Sequence, residues 1–70
     1  KRMSYFEKQE WETIEADIEE LEARIATIET EMEQSGSDFT KLSELQKELD
    51  DKNEQLLEKY ERYEYLSELE

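Results

Sequence analysis

The residues of this sequence that could bind a ligand are cations and aromatic side chains near its two ends. Lysine and arginine neutralise phosphates, and aromatic rings stack on nucleic-acid bases or anchor a protein partner. The candidate contact residues are Lys1, Arg2, Tyr5, Phe6, Lys8, Lys59, Arg62 and Tyr65. Acidic residues lie between them, so such a surface is mixed in sign rather than basic. The other interpretation is that these side chains are exposed and have no binding role.

Catalysis and metal binding find little support in the residue types. The sequence has no Cys and no His, which excludes zinc or redox chemistry built on either residue. Carboxylates are plentiful, but a catalytic pair needs a concave, partly dry site to separate its pKa values. The stretch Asp50–Glu54 lacks the central glycine and the alternating ligands of a calcium loop. We therefore expect no enzymatic activity, no metal site and no cofactor.

Length and charge limit the classes of protein further. Seventy residues make one small domain, and a net charge of −13 repels phosphate backbones while favouring basic partners. The simpler interpretation is that the acidic residues only solvate the outer faces of helices. No apolar run approaches the length of a membrane span, and the lack of Cys agrees with a cytoplasmic protein. Because the chain begins at Lys1 rather than Met, we expect it to be a piece of a longer protein.

The first half of the chain has the apolar spacing of a coiled coil. Steps of three and four residues alternate without a break along Trp11, Ile14, Ile18, Leu21, Ile25, Ile28 and Met32. This heptad repeat places all seven side chains on one stripe of a helix, which we call the seam. Ser4 followed by Glu7 has the spacing of a capping box, which marks the start of the helix.

A second seam follows after a short polar turn. It is predicted to contain Leu42, Leu45, Leu49, Lys52, Leu56, Tyr60, Tyr63 and Leu66. Gly36 can adopt the left-handed conformation that ends a helix, and either Ser37 or Asp38 can cap the next one. So short a link makes neighbouring helices antiparallel. The sequence predicts an all-α fold, a monomeric two-helix antiparallel coiled-coil hairpin with helices at about 5–34 and 39–67 and a turn at about 35–38.

Alternating the two seams also predicts their register. Trp11 should pack against Tyr63 or Leu66, and Ile28 against Leu45 or Leu49. Lys52 stands at a core position, where it either lies along its apolar neighbours with its ammonium in water or fixes the register.

Local ion pairs are expected along each helix. Glu20–Arg24 and Glu58–Arg62 have the favourable spacing of four residues. The charged heads of Lys59 and Arg62 are otherwise expected to face water.

Three segments resemble a known family. They are the opening KRMSYFEKQEWE (residues 1–12), the turn region DFTKL (38–42) and the ending RYEYLSEL (62–69). Together they are similar to the C-terminal domain of ABC-F ATPases of the Uup type. The resemblance extends over essentially the whole chain.

The resemblance implies an accessory domain that follows two ATP-binding cassettes in a cytoplasmic bacterial ATPase acting on translating ribosomes. It also implies a link to DNA or RNA binding. ATP would bind in the cassettes, since these residues contain no Walker motif. Phe6 and Gln9 stand where family members often carry Lys and Arg. The expected partners are nucleic acid or the ribosome, bound weakly, and the rest of the parent ATPase, with no membrane contact. A structural coiled coil for protein–protein contact or self-association is the alternative.

Overall fold

Two long α-helices make up the computed structural model, which describes residues 2–70. Helix α1 spans Tyr5–Gln34 and helix α2 spans Phe39–Leu69. The helices pack side by side and antiparallel in a rod of 52 × 15 × 15 Å. The prediction of an all-α helical hairpin is thus confirmed. Helix α2 ends two residues later than the predicted residue 67, and the candidate contact residue Lys1 lies outside the described residues.

The start of α1 uses the predicted capping box. The Glu7 amide donates to Ser4 Oγ at 3.2 Å, and the Ser4 amide donates to Glu7 Oε1 at 2.8 Å. Both bonds satisfy backbone donors of the first turn that have no partner within the helix. The entry of the chain into α1 is therefore fixed by its own local sequence.

The turn reverses the chain through Gly36 and Asp38. Gly36 has a φ of 58°, a left-handed conformation that a residue with a Cβ adopts only with strain. Of the two predicted caps, Asp38 is the one used, because its Oδ1 accepts from the Lys41 amide at 3.1 Å. These features bring α2 back along α1.

The seam forms the core of the hairpin. Ile14, Ile28 and Leu66 are completely buried, and Leu45 is nearly so. The Trp11 and Tyr63 rings lie 5.1 Å apart between centroids, which confirms the predicted register at this end. The remaining apolar seam residues are half-buried, with one exception.

The exception is Tyr60, which was predicted on the seam but is 44% exposed. Lys59 is half-buried instead. The reason is geometric: steps of three and four residues continue without a break through Leu56, Lys59 and Tyr63, whereas a seam through Tyr60 needs two consecutive steps of four. The aliphatic stem of Lys59 lies in the interface while its ammonium reaches the rim. Lys52, one heptad earlier, is half-buried in the same way.

Within residues 2–70, neither helix is sufficiently apolar along its length to cross a membrane.

Candidate functional site

The open end of the hairpin, defined as residues 2–12 and 59–70, carries the candidate contact residues that the structure describes. Tyr5 and Phe6 are 70% and 80% exposed, and their rings meet edge to face at 5.5 Å. Arg2 and Lys8 are exposed and line one shallow groove with Leu69 at the end of α2. The fold therefore brings two cations from the start of the chain next to its last turn.

Arg62 lies within the open end, on the first turns of this part of α2, and is paired with Glu10. Its Nε and Nη2 donate to the two carboxylate oxygens of Glu10 at 2.8 and 2.7 Å. Its guanidinium also lies 5.0 Å from the centroid of the Tyr65 ring, in cation–π geometry. The hydrogen bond from Arg62 lowers the pKa of Glu10, and the same bond raises the pKa of Arg62. The paired arginine holds Tyr65 and Glu10 at the same side of the hairpin.

Lys59 also forms an ion pair, with its Nζ 3.2 Å from Asp17 Oδ2. The heads of Lys59 and Arg62, predicted to face water, thus bind carboxylates of α1 while remaining partly exposed. Arg62 pairs with Glu10 rather than with Glu58, because the planar guanidinium can align with both carboxylate oxygens across the interface. These two ion pairs join α2 to α1 across the interface.

Arg24 repeats this arrangement near the middle of the rod. Its Nε and Nη2 each donate to a Glu48 oxygen at 2.8 Å, and its Nη1 lies 3.8 Å from Glu31. The predicted partner Glu20 is not within ion-pair distance among the described residues. We call this side of the hairpin the ion-pair edge. It consists of Glu10, Asp17, Arg24, Glu31, Glu48, Lys59 and Arg62.

On the opposite side of the hairpin, tyrosine hydroxyls rather than cations contact the carboxylates of α1. The hydroxyl of Tyr60 donates to Glu22, and the hydroxyl of Tyr63 donates to Glu15 Oε1 at 3.3 Å. A shallow groove between the two helices is bordered by these tyrosines and acidic residues. We call this side the tyrosine edge. It consists of Glu15, Ile18, Glu19, Glu22, Tyr60 and Tyr63.

The carboxylates of the tyrosine edge change the acidity of its phenols. The hydrogen bond to Glu22 raises the pKa of Tyr60, and the negative charge of Glu15 raises the pKa of Tyr63. Because the pKa of each phenol is higher in the folded state, the hydrogen bond of its protonated form contributes fully to the free energy of unfolding below the ordinary phenol pKa. It is then lost as pH rises through the folded value.

An alkaline titration should detect this loss. We expect the free energy of unfolding to fall above about pH 10, where unperturbed phenols begin to ionise. In a Tyr60→Phe, Tyr63→Phe double variant the fall should be shallower. Urea unfolding followed by circular dichroism at several alkaline pH values measures it, with Tyr5→Phe as the control. If the free energy of unfolding depends on pH identically in the wild type and the double variant, Tyr60 and Tyr63 do not cause the loss of stability.

Sequence reasoning located the cations but missed their partners. Glu10, Asp17, Arg24 and Glu31 recur every seven residues, each directly before a seam residue. This spacing is typical of residues that flank a coiled-coil interface and form ion pairs across it. The signal was therefore present in the sequence, although it does not say which carboxylate each cation selects.

Comparisons with known proteins give one positive result. A search of curated proteins found no match, and neither did a search of solved structures. The family model for the ABC transporter C-terminal domain matches residues 2–68, which is nearly the whole chain. This agrees with the resemblance at the two ends and the turn. The chain belongs to the ABC transporter C-terminal domain family.

Proposed function

We propose that this hairpin is a non-catalytic accessory domain of a cytoplasmic ABC-F-type ATP-binding protein and contributes a contact with nucleic acid, either DNA or RNA, including ribosomal RNA. Membership of the family supports the accessory role. Binding and hydrolysis of ATP would then belong to cassettes elsewhere in the parent protein.

The distribution of charge carries the nucleic-acid part of the proposal. The open end, residues 2–12 and 59–70, carries four of the nine cations of the sequence together with seven acidic residues. Residues 13–58 contain four cations and fifteen acidic residues. A phosphate backbone approaching the open end therefore meets much less repulsion than one approaching the rest of the rod. The exposed rings of Tyr5 and Phe6 offer stacking surfaces at the same end.

The cations of the open end differ in how readily they can bind a phosphate. Lys59 and Arg62 are held by Asp17 and Glu10, so a phosphate would have to compete with a carboxylate for each. Arg2 and Lys8 form no ion pair within residues 2–70. We therefore assign the first phosphate contacts to Arg2 and Lys8. So few contacts imply weak binding, with a slope of log K against log salt of about one for each phosphate contact.

A salt titration of matched variants tests this assignment. Fluorescence anisotropy would measure binding of the wild type to labelled duplex DNA and to a ribosomal RNA fragment. In the Arg2→Gln, Lys8→Gln variant the slope of log K against log salt should fall by about two, one for each lost phosphate contact.

The control removes two cations elsewhere. Lys41→Gln, Lys47→Gln has the same net charge, with both changes at exposed positions of α2 away from the open end. It should keep the wild-type slope. If the slope of log K against log salt falls equally in the two variants, binding depends only on overall charge. If the wild type does not bind at all, the nucleic-acid proposal is wrong.

Protein–protein contact or self-association is the second candidate, favoured by exposed aromatic residues at both ends of the rod. Phe6 is 80% exposed at the open end, and Phe39 is 79% exposed beside the turn. Sedimentation velocity over a range of concentrations distinguishes the two candidates. A mass that grows with concentration in the absence of nucleic acid would favour self-association.

A further inference from the structure

We infer that the tyrosine edge is a docking surface for a basic segment of a partner protein, one that presents arginine or lysine beside apolar side chains. This surface lies on the flank of the rod. It shares Tyr60 and Tyr63 with the range that defines the open end, but it contains none of the candidate contact residues. The inference therefore does not depend on the proposed nucleic-acid contact.

The shape of the tyrosine edge provides the first argument. Ile18 and Tyr63 are half-buried in the groove between the helices, and Tyr60 borders it with 44% of its surface exposed. Leu57 lies one helical turn before Tyr60 on the same side of α2 and is 59% exposed. Positions that flank a coiled-coil seam usually carry charged residues. Two large apolar side chains here form a strip suited to contact with another protein.

The charge of the tyrosine edge provides the second argument. Within residues 2–70, Glu15, Glu19 and Glu22 form no ion pair, whereas Arg24, Lys59 and Arg62 on the ion-pair edge are all paired. Opposite Glu22 and Glu15, helix α2 places the hydroxyls of Tyr60 and Tyr63 rather than a cation. The fold thus separates compensated charge on one edge from uncompensated negative charge on the other.

These two features together define the chemistry of the occupant. A guanidinium or ammonium group can lie over a tyrosine ring while neighbouring carboxylates bind its N–H groups. Apolar side chains next to that cation would cover Leu57 and the groove floor. A phosphate backbone would be repelled by the three carboxylates. A second copy of this chain would also be repelled, since it carries the same charge of −13.

Nuclear magnetic resonance can locate the binding surface directly. A short synthetic peptide of Arg, Leu and Ala would be titrated into the isotope-labelled 70-residue chain. The largest amide shifts are expected along residues 15–22 and 57–63. The same peptide with Glu in place of Arg should produce no shifts. Shifts spread evenly over all acidic positions would overturn the proposal, because they would indicate general attraction to a negatively charged rod.

Matched variants then test the charge argument. Glu15→Gln, Glu22→Gln keeps a side-chain oxygen that can accept from each tyrosine hydroxyl, so the hairpin should stay folded. We expect it to weaken peptide binding about two- to fivefold, in the range of exposed ionic contacts. Glu54→Gln, Glu61→Gln is the control, with two exposed glutamates that are also seven residues apart but lie on the outer face of α2. Equal weakening by both pairs would exclude a specific site.

A ring substitution tests the contribution of the aromatic residue. Tyr60→Ala should weaken the peptide about two- to fivefold, in the range of an exposed cation–π contact, while Tyr5→Ala should not. Circular dichroism would confirm that each variant remains helical. Titration with a single-stranded oligonucleotide completes the design: if it shifts the same amides as the peptide, the surface is a nucleic-acid site and the inference is wrong.

Discussion

Replacing Leu66 with alanine should lower the free energy of unfolding by about 3–5 kcal/mol. Leu66 is completely buried where α2 packs on the start of α1. Its truncation removes apolar surface from the core and leaves a cavity that two helices can close only partly. Because a domain of this size has only a few kcal/mol of net stability, we expect the variant to be largely unfolded in water.

Leu57→Ala is the matched control for this prediction. It makes the same chemical change on the same helix, at a side chain that is 59% exposed. Its cost should stay below about 1 kcal/mol, because little apolar surface returns to water. Urea unfolding followed by circular dichroism measures both variants. Similar midpoints for Leu66→Ala and Leu57→Ala would show that the two leucines do not differ in burial as the fold requires.

Much of the fold could be predicted because its determinants are local. The Ser4–Glu7 capping box, the left-handed Gly36 and the cap at Asp38 each involve residues close together in sequence. Two seams joined by a four-residue turn then allow only an antiparallel alignment, which places Trp11 on Tyr63. Local capping signals and heptad spacing therefore predicted the architecture, and the register at the open end.

The assignment of Tyr60 to the seam was wrong because it followed residue type rather than helix geometry. Tyrosine is the more apolar side chain, but the heptad continues through Lys59. A long aliphatic stem lets lysine occupy such a position when its ammonium can reach Asp17. The degree of burial within the seam was equally hidden: Ile14 and Ile28 are fully buried, whereas Ile25 is only half-buried.

The candidate site was predictable in place but not in its contacts. The two chain ends meet in any hairpin, so grouping the cations at the open end required only topology. The partner of Arg62 could not be read from the sequence, because Glu58 on its own helix and Glu10 on α1 were both possible. Which of the two carboxylates Arg62 binds depends on the register of the two helices and on the rotamer of the arginine side chain. The tyrosine edge was missed for the same reason, since it exists only when Tyr60 lies outside the seam.

The contact between Arg62 and Glu10 leads to the second large effect. Arg62→Glu should destabilise the hairpin by about 1–2 kcal/mol, because it removes a two-bond ion pair across the interface and leaves the new carboxylate facing that of Glu10. Exchanging the pair, with Glu10→Arg added in the same chain, should restore most of this loss. Arg2→Glu makes the same charge change at a residue without an ion pair in residues 2–70, so its cost should be much smaller.

The pH dependence of stability in a neutral variant, Arg62→Gln, gives an independent measure of the ion pair. Arg62 lowers the pKa of Glu10 in the folded state, so the stability it contributes is present above the ordinary carboxyl pKa. That contribution is lost as pH falls through the lowered value. The difference in stability between the wild type and Arg62→Gln should therefore shrink on acidification. If it stays constant with pH, or if the exchanged pair is no more stable than Arg62→Glu alone, the ion pair does not hold the helices together. In that case Arg62 would be free for an external phosphate, and reversing its charge would test nucleic-acid binding without disturbing the fold.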